Sequence, residues 1–219
     1  MTVETQKRRR GRPRLEEAGR IDARDRILDS ALHVFAERGF DAASFRMIAS
    51  RAGVTHTMIT YYYSNKEDLW AAAVEFLFER MERDLAPPSI PAEIDSNKLI
   101  EYAREGLRRY VRYSAQHPEH HRLMIQEAAR GSPRLAWVTE KFTRKFHLAG
   151  FAAIKMLQDR GVLPPVDTLS LMYMAIGAAQ LPYALSPELK LIWDDDPSSK
   201  ARVDAHIEAM VALFIPESV

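Results

Sequence analysis

Side chains that can form hydrogen bonds are concentrated in one short stretch of the chain, THTMITY, at residues 55–61. These side chains belong to Thr55, His56, Thr57, Thr60 and Tyr61. Their hydroxyl and imidazole groups can each donate or accept a hydrogen bond. Catalysis would need a nucleophile, a base and a group that orients the base, and the sequence offers no convincing set of this kind. The stretch therefore favours recognition through hydrogen bonds over catalysis.

Two short helices joined by a sharp turn are predicted to position this stretch. Ser44 can cap the first of them, and Gly53 suits the turn that follows it. Thr55 can cap the second, which runs to about Tyr62. In a helix-turn-helix the second helix lies in the major groove of DNA, where base edges expose distinguishable donors and acceptors. A Thr-rich helix that ends in tyrosines makes a poor core hairpin, which is the alternative, so the pair predicts DNA binding.

A longer helix is predicted on each side of this pair. Before it, apolar residues recur at helical spacing over about 17 residues and stop near Gly39, the expected left-handed cap. After it, Ser64-x-x-Glu67 is a capping box that opens a fourth helix, which ends before Pro87-Pro88. Residues 86–95 are predicted to form a loop.

The rest of the chain is predicted to be helical as well. The expected helices cover residues 96–116, 119–130, 133–160, 167–185 and 199–214. Proline and glycine separate them, and no run of alternating polarity has the length of a strand. The sequence therefore predicts an all-α fold.

Residues 26–69 resemble the N-terminal domain of the TetR/AcrR family of transcriptional regulators. They read RILDSALHVFAERGFDAASFRMIASRAGVTHTMITYYYSNKEDL. This run is similar to the family's habitual order of Gly-Phe/Tyr, Ala-Gly-Val, Tyr-Tyr-x-Phe/Tyr and Ser/Asn-Lys-Glu-x-Leu. The resemblance implies a homodimeric repressor with an N-terminal helix-turn-helix DNA-binding domain and a C-terminal helical ligand-binding and dimerisation domain. The expected divisions are a basic arm at 1–20, the DNA-binding domain at 21–66 and the C-terminal domain at 67–219.

The resemblance also implies roles for individual residues of the helix-turn-helix. The residues expected to contact DNA are Ser44, Arg46, Thr55, His56, Thr57, Met58, Tyr61 and Lys66. Ser44 and Arg46, which open the helix before the recognition helix, would contact phosphate together with Tyr61 and Lys66. The start of the recognition helix would meet base edges. The family often has Lys-Gly where this chain has His56-Thr57, and Tyr or Phe in place of Thr60. The operator sequence therefore cannot be taken from relatives.

The N-terminal end carries the chain's positive charge. Residues 1–70 hold 13 Lys and Arg against 10 Asp and Glu, a net charge of +3, and the remainder holds 18 against 20, a net charge of −2. Residues 1–20 lack apolar periodicity and are predicted to be a disordered arm. Within it, Arg10-Gly11-Arg12-Pro13 resembles the core of an AT-hook, whose arginines enter the minor groove of A·T-rich DNA. The alternative is a solvated basic tail that is attracted to phosphate without sequence preference.

The C-terminal domain is expected to enclose an unidentified small-molecule effector. The candidate ligand-binding residues are Met124, Glu127, Trp137, Phe146, Met172, Tyr173 and Gln180. Methionine and aromatic residues suit an adaptable apolar pocket, and the polar members would orient the ligand. The same residue types also build an ordinary core, and the sequence does not separate the two uses.

Two helices near the C-terminus are candidates for a dimer interface. The residues proposed for it are Tyr173, Gly177, Ala178, Ile207, Met210, Val211 and Phe214. Small residues permit close approach of a partner helix, and the apolar stripe on the last helix would complete a four-helix interface. The alternative is that both helices pack within one subunit.

Two clusters of possible metal ligands have simpler interpretations. His117, His120 and His121 surround Pro118-Glu119, which suits a helix start, so a solvated helix entry is expected rather than a metal site. The run from Asp194 to Asp196 is interpreted as a loop and helix cap. No cofactor or metal is expected.

The overall composition limits the class of protein. The chain has no cysteine and no apolar run long enough to span a membrane, so we expect a cytoplasmic protein without membrane contact. The favoured function is a regulator that leaves a palindromic operator when a small molecule binds. The alternatives are a ligand-independent architectural DNA-binding protein that relies on the basic arm, and a helical-bundle enzyme with a coincidental N-terminal motif.

Overall fold

The computed structural model describes residues 13–86 and 95–215, with side chains from residue 22 onward. Over these residues the chain forms helices joined by turns and loops, so the predicted all-α fold is confirmed. Two compact units are present, Met1–Phe76 and Leu77–Val219, which we call the N-terminal unit and the C-terminal unit. Among the described residues, no helix has the length and apolar character needed to cross a membrane.

The N-terminal unit contains three helices and the beginning of a fourth. They are α1 (Pro13–Ala42), α2 (Phe45–Ala52), α3 (His56–Tyr62) and α4 (Lys66–Leu85). Apolar residues at helical spacing meet in its core, where Ile27, Leu28, Leu32, Phe35, Ile48, Ile59 and Leu69 are almost fully buried. The boundary between the units falls inside α4, not at its start as predicted, because Leu69, Trp70 and Ala73 of α4 are buried with the first unit's helices.

Helix α1 differs from its prediction at both ends. It begins at Pro13, so the predicted disorder of residues 13–20 is wrong. This segment consists largely of Leu, Glu, Ala and Arg, whose high intrinsic propensity supports a helix without an apolar stripe. Arg10 and Arg12 lie outside the described residues. Gly39 has φ 76° and ψ 164°, a conformation essentially restricted to glycine, so it forms a kink within α1 and not the predicted left-handed cap.

Local hydrogen bonds define the helix-turn-helix as predicted. The Ser44 hydroxyl accepts from the Met47 N–H at 3.4 Å, and the Thr55 hydroxyl accepts from the Met58 N–H at 3.2 Å. Gly53 adopts the left-handed conformation, with φ 65° and ψ 35°, and ends α2. Both predicted caps and the predicted turn are therefore confirmed.

The cap of α4 is Asn65 and not Ser64, because the Asn65 side-chain oxygen accepts from the Asp68 N–H at 2.8 Å. We expect Asn65→Ala to lower the free energy of unfolding by about 1 kcal/mol, because it removes this hydrogen bond. Ser64→Ala, the matched control, should change it by less than about 0.5 kcal/mol. Urea unfolding followed by circular dichroism measures both. A larger decrease in the free energy of unfolding for Ser64→Ala than for Asn65→Ala would show that Ser64 is the cap, as the predicted capping box requires.

The C-terminal unit holds the end of α4 and all later helices. They are α5 (Ser96–Gln116), α6 (Pro118–Arg130), α7 (Pro133–Val138), α8 (Arg144–Asp159), α9 (Thr168–Ala184), α10 (Ser186–Trp193) and α11 (Lys200–Phe214). The predicted single helix at 133–160 is interrupted by a π-helical turn, Thr139–Thr143, which joins α7 to α8. Helix α10 was missed because its apolar residues Leu191, Ile192 and Trp193 are consecutive and exposed, so they give no helical periodicity.

Two apolar clusters hold the C-terminal unit together. One centres on Leu99, Leu157, Leu163 and Leu171, and it brings α5, α8 and α9 together. The other joins α11 to α5 and α9 through Val111, Ala179, Tyr183, Ile207, Met210 and Val211. The apolar stripe of α11 is therefore part of the core of a single subunit.

Candidate nucleic-acid interface and ligand cavity

Helix α3 exposes the polar face that the sequence predicts for DNA recognition. The side chains of Thr55, His56 and Thr57 are exposed, as is 38% of Met58. On the opposite face Ile59 is fully buried and anchors the helix to the N-terminal unit. Hydrogen-bonding groups that face solvent on a short, anchored helix are what major-groove recognition requires.

The three consecutive tyrosines at the end of α3 have different environments. Tyr61 is 75% exposed and its ring meets the edge of Tyr62 at a centroid distance of 5.2 Å. Tyr63 is buried, and burial raises the pKa of its hydroxyl. Of the three, Tyr61 is therefore the residue best placed to reach a phosphate.

The start of α2 lies beside the start of α3. The ring of Phe45 is 6.0 Å from the ring of His56, which links the two helix ends. Ser44 and Arg46 flank Phe45 and are exposed, as predicted for residues that contact DNA. The Ser44 oxygen accepts the capping bond, so its O–H remains able to donate to a phosphate oxygen.

Thr60 lies on the same helix but its hydroxyl is turned back onto the backbone. It is within hydrogen-bonding distance of the His56 carbonyl at 3.4 Å and of the Thr57 carbonyl at 3.1 Å. Bonds of this kind occupy the hydroxyl proton, so Thr60 is less suited to base recognition than its neighbours.

Lys66 holds the end of α1, a role that the sequence did not reveal. Its ammonium donates to the Asp41 carbonyl at 3.0 Å and to the Ala43 carbonyl at 3.1 Å, and it lies 4.6 Å from the centre of the Phe40 ring. An ammonium has three N–H donors, so one remains for a phosphate. The position of α4 relative to α1 therefore depends on the same side chain that is expected to contact DNA.

A cavity of about 600 Å³ lies within the C-terminal unit. Residues of α4, α5, α6, α8 and α9 line it, most of them apolar. Four of the predicted ligand-binding residues are in its wall: Met124, Phe146, Met172 and Gln180. A concave, mostly apolar space with a few polar groups is the usual form of a small-molecule site.

The other three predicted ligand-binding residues lie elsewhere. Glu127 is buried and pairs with the Ser132 hydroxyl and with Arg134, at 3.3 Å from the Arg134 Nε. Trp137 meets the ring of Phe142 edge-on, and Tyr173 is 55% exposed. Large aromatic and polar residues occur in cores, surfaces and pockets alike, so the sequence could not separate these uses.

Polar residues that the sequence analysis did not assign to the cavity also line it. Tyr110 lines the cavity and accepts a hydrogen bond from the Gln180 amide. His120 is bonded through Nδ1, at 2.8 Å, to the hydroxyl of Tyr113, which is not itself a lining residue. His120 and His121 are themselves lining residues. The spacing of His120, Leu123 and Glu127 puts these three buried residues on one face of α6. This spacing indicates burial but not the cavity, because neither Leu123 nor Glu127 lines it.

The predicted solvated helix entry at His117, His120 and His121 is wrong for the last two. Both are buried, because Pro118 starts α6 inside the C-terminal unit. Burial lowers the pKa of His120 well below its ordinary value and that of His121 to about 4. Within residues 22–86 and 95–215, no group of three or more potential ligands could hold a metal ion.

Acidification should destabilise the protein through these buried histidines. The unfolded chain has a His121 pKa near 6.5 and the folded chain about 4, so the unfolded chain binds more protons between these values. The stabilising contribution is complete above about pH 6.5 and diminishes as the pH falls. We expect the free energy of unfolding to drop by about 2 kcal/mol from His121 alone between about pH 7.5 and pH 5.

Urea unfolding across this pH range measures the effect. His121→Gln should flatten the pH dependence, whereas His56→Gln, which changes an exposed histidine, should leave it as in the wild type. An unchanged pH dependence in His121→Gln would contradict the assignment.

Comparison with known proteins identifies the family. A family model described as "Bacterial regulatory proteins, tetR family" matches residues 27–73, from α1 through the helix-turn-helix into α4. The HTH-type transcriptional regulator RutR of Escherichia coli K12 is 26% identical over 166 residues, which cover 76% of each chain. The chain belongs to the TetR family of transcriptional regulators. A second relative, the HTH-type transcriptional repressor SCO4008 of Streptomyces coelicolor, is 29% identical over 76% of this chain and 81% of its own.

The fold of this TetR-family regulator is also found in solved structures. The crystal structure of AibR in complex with isovaleryl coenzyme A and operator DNA superposes with a TM-score of 0.68. The match covers 89% of this chain and 98% of AibR at 17% sequence identity. The similarity therefore extends over both units of the fold.

The TetR-family chain places its predicted dimer residues in two environments. Ile207, Met210 and Val211 are buried within the subunit, so their predicted place on a dimer face is wrong. Phe214 and Ala178 also pack against that core. The helical stripe of α11 was misassigned because a stripe that packs internally has the same spacing as one that packs on a partner. Tyr173 and Gly177 instead lie on the outer face of α9.

Proposed function

We propose that this TetR-family regulator is a homodimeric repressor that leaves a palindromic operator when a small molecule enters the cavity of the C-terminal unit. The observation that carries the proposal is the course of α4. This helix begins at Lys66, directly after the recognition helix, and its later residues Phe78, Met81 and Leu85 line the cavity. A single helix thus contains residues of the DNA-binding unit and of the ligand cavity.

The proposed mechanism is a shift between two conformations. A ligand changes the equilibrium only if it binds one conformation more tightly than the other. Phe78 stacks on Phe142 with centroids 4.6 Å apart, and it meets the edge of His120 at 5.4 Å. A ligand that displaces these rings would move α4, and the separation of the two recognition helices in the dimer would then change.

The contacts with DNA are proposed in two classes. Ser44, Arg46, Tyr61 and Lys66 contact phosphates and set the register of the protein on the duplex. The start of α3, comprising Thr55, His56, Thr57 and Met58, reads base edges in the major groove. Arg10 and Arg12 of the arm, which lie outside the described residues, add contacts in the minor groove.

The outer face of α9 is proposed as the dimer interface. Large apolar residues on this face are 42–55% exposed: Leu169, Tyr173, Met174, Leu181 and Leu185. Gly177 lies among them, and a Cβ atom added there would meet no atom within 4 Å. A contiguous exposed apolar face with a small residue at its centre suits the close approach of a second helix.

Selection of bound sequences from a random DNA pool tests the whole proposal. A dimer that presents two equivalent recognition helices should recover an inverted repeat, with half-site centres about 34–36 Å apart. Recovery of A·T-rich DNA without symmetry would favour the architectural alternative. AibR, which shares the fold, was crystallised in complex with isovaleryl coenzyme A and operator DNA. That complex supports the proposal that a chain of this fold can have both a small-molecule site and a DNA-binding site.

Substitutions in α3 should separate the two classes of contact. We expect His56→Ala or Thr57→Ala to change which operator bases are preferred, because a side chain that bonds a base edge through two hydrogen bonds supplies about 1–3 kcal/mol of discrimination. Tyr61→Phe should weaken binding to operator and scrambled DNA by similar factors, because a phosphate contact carries no sequence information. Competition binding with both DNAs measures the difference. A change of base preference in Tyr61→Phe would contradict these roles.

A further inference from the structure

As far as the structure describes it, the wall of the cavity has no permanently charged side chain. Among the described residues that line it, none is Asp, Glu, Lys or Arg. The nearby ion pairs are satisfied elsewhere: Arg80 pairs with Glu119 at 2.5 Å, and Glu127 pairs with Arg134 at 3.3 Å. None of these four residues is part of the lining.

Three titratable residues of the wall, His120, His121 and Tyr110, are uncharged at neutral pH. Burial lowers the pKa of His120 and His121 and raises the pKa of the Tyr110 hydroxyl to about 12. The Tyr113 hydroxyl already occupies His120 Nδ1. The wall therefore combines apolar surface with these uncharged hydrogen-bonding groups and one further imidazole, His147, whose Nδ1 lies 2.9 Å from the Thr143 carbonyl.

One pair of polar side chains in the wall has unused hydrogen-bonding capacity. The Gln180 amide of α9 donates to the Tyr110 hydroxyl of α5. The hydroxyl proton and the amide oxygen have no other partner among the described residues. In either orientation of the amide, the pair keeps at least one free donor. A neutral ligand group can bond to this pair without displacing either residue.

We propose that the effector is an uncharged, largely apolar molecule whose polar end is a hydroxyl or carbonyl group bound by the Tyr110–Gln180 pair. This inference rests on the proposed function, since it concerns the ligand of the same cavity. The remaining wall contributes apolar contact, with Met81, Phe146 and Met172 among the large side chains.

The physical argument is the cost of removing a charge from water. An ion that enters a site without a counterion must give up its hydration, and the penalty is several kcal/mol even after the protein relaxes. A hydroxyl group loses far less hydration free energy, and hydrogen bonds to the wall compensate for the loss. The cavity therefore selects against carboxylates and ammonium ions that have the same apolar body.

A matched series of ligands tests the proposal on the full-length protein. The fluorescent probe N-phenylnaphthylamine, which is uncharged, is titrated into the protein, and decanol, decanoate and decylammonium are then used to displace it. We expect decanol to displace the probe at a concentration at least about tenfold lower than either ion requires. Equal or tighter binding of decanoate or decylammonium would overturn the proposal, as would the failure of all three and of the probe to bind.

Variants of the wall locate the binding. Tyr110→Phe and Gln180→Leu should each weaken decanol about two- to tenfold, the effect of one neutral hydrogen bond, with a smaller effect on the probe. Gly150→Trp should fill the cavity and weaken the probe at least about tenfold, because Gly150 lines the cavity and a Cβ added there would lie 3.9 Å from the sulfur of Met172, another lining residue. Ala152→Trp, on an exposed position of α8 outside the lining, is the control and should bind as the wild type does. Binding that survives Gly150→Trp unchanged would overturn the location.

The same titrations distinguish the two proposals. If decanol binds selectively and operator affinity does not change, the ligand class stands and the release mechanism fails. If charged ligands bind preferentially and release the operator, the release mechanism stands and the ligand class fails.

Discussion

Glu119→Ala is expected to lower the free energy of unfolding by about 3–5 kcal/mol. Glu119 is 4% exposed and Arg80 is 8% exposed, and their charged groups are 2.5 Å apart. His117 Nδ1 lies 3.4 Å from the same carboxylate. Removing the carboxylate leaves the Arg80 guanidinium buried without its closest opposite charge, and this accounts for most of the decrease.

The matched control is Glu82→Ala, which also removes a carboxylate from an ion pair of α4, in this case one supplied by α4 itself. Glu82 pairs with Lys145 at 3.2 Å, but both side chains are more than half exposed. We expect this variant to be destabilised by less than about 1 kcal/mol, because water and salt screen the exposed pair. Urea unfolding of both variants gives the comparison. Equal decreases would show that the Arg80–Glu119 pair does not behave as a buried ion pair.

This ion pair also bears on the proposed signal from ligand to DNA. It fastens α4 to α6 between Phe78 and Met81, two residues of α4 that line the cavity. A ligand that moves α4 must therefore work against this attachment. Where packed elements have two discrete arrangements, a small displacement at a ligand becomes a discrete change of conformation.

The helix-turn-helix could be predicted from the sequence because its determinants are local. The caps at Ser44 and Thr55 bond to groups three residues away, and Gly53 bonds within the same turn of α2. Such interactions depend on a few neighbouring residues and have known sequence preferences. The exposed polar face of α3 follows from the same short-range periodicity.

Interactions between distant residues could not be predicted in this way. Lys66 bonds to carbonyls 23 and 25 residues earlier, and Arg80 pairs with a carboxylate 39 residues later. The burial of His120 and His121 likewise depends on helices that approach from elsewhere in the chain. Sequence spacing gives the face of a helix on which a residue lies, but not the element that covers this face.

The dimer interface shows the same limit. The stripes on α9 and α11 both have helical spacing, yet Ile207, Met210 and Val211 of α11 are buried in the subunit whereas Tyr173 of α9 is exposed. The mean composition of α9, rich in Leu, Met and Ala, does not indicate which of its faces remains open. The packing of α11 against α5 and α9 buries one face of α11, and we propose the exposed outer face of α9 for a partner.

Gly177→Arg is therefore expected to produce a monomer that binds the operator at least about 100-fold more weakly than the wild type. The new side chain would place a charge at the centre of the exposed apolar face, and an identical charge would oppose it from the partner. The subunit itself should stay folded, because the position is helical and open to solvent. Sedimentation velocity and operator titration on the same preparation measure assembly and affinity.

Ala152→Arg, which adds the same charge at an exposed position of α8, is the control and should stay dimeric with normal operator affinity. The large decrease in operator affinity expected for Gly177→Arg has a geometric cause. A single recognition helix as short as α3 meets only a few base pairs, and tight binding needs two such helices about 34–36 Å apart on one face of the duplex. A Gly177→Arg protein that remained dimeric would place the interface elsewhere. A monomer that bound a full palindrome as tightly as the wild type would show that the spacing of two recognition helices does not determine operator affinity.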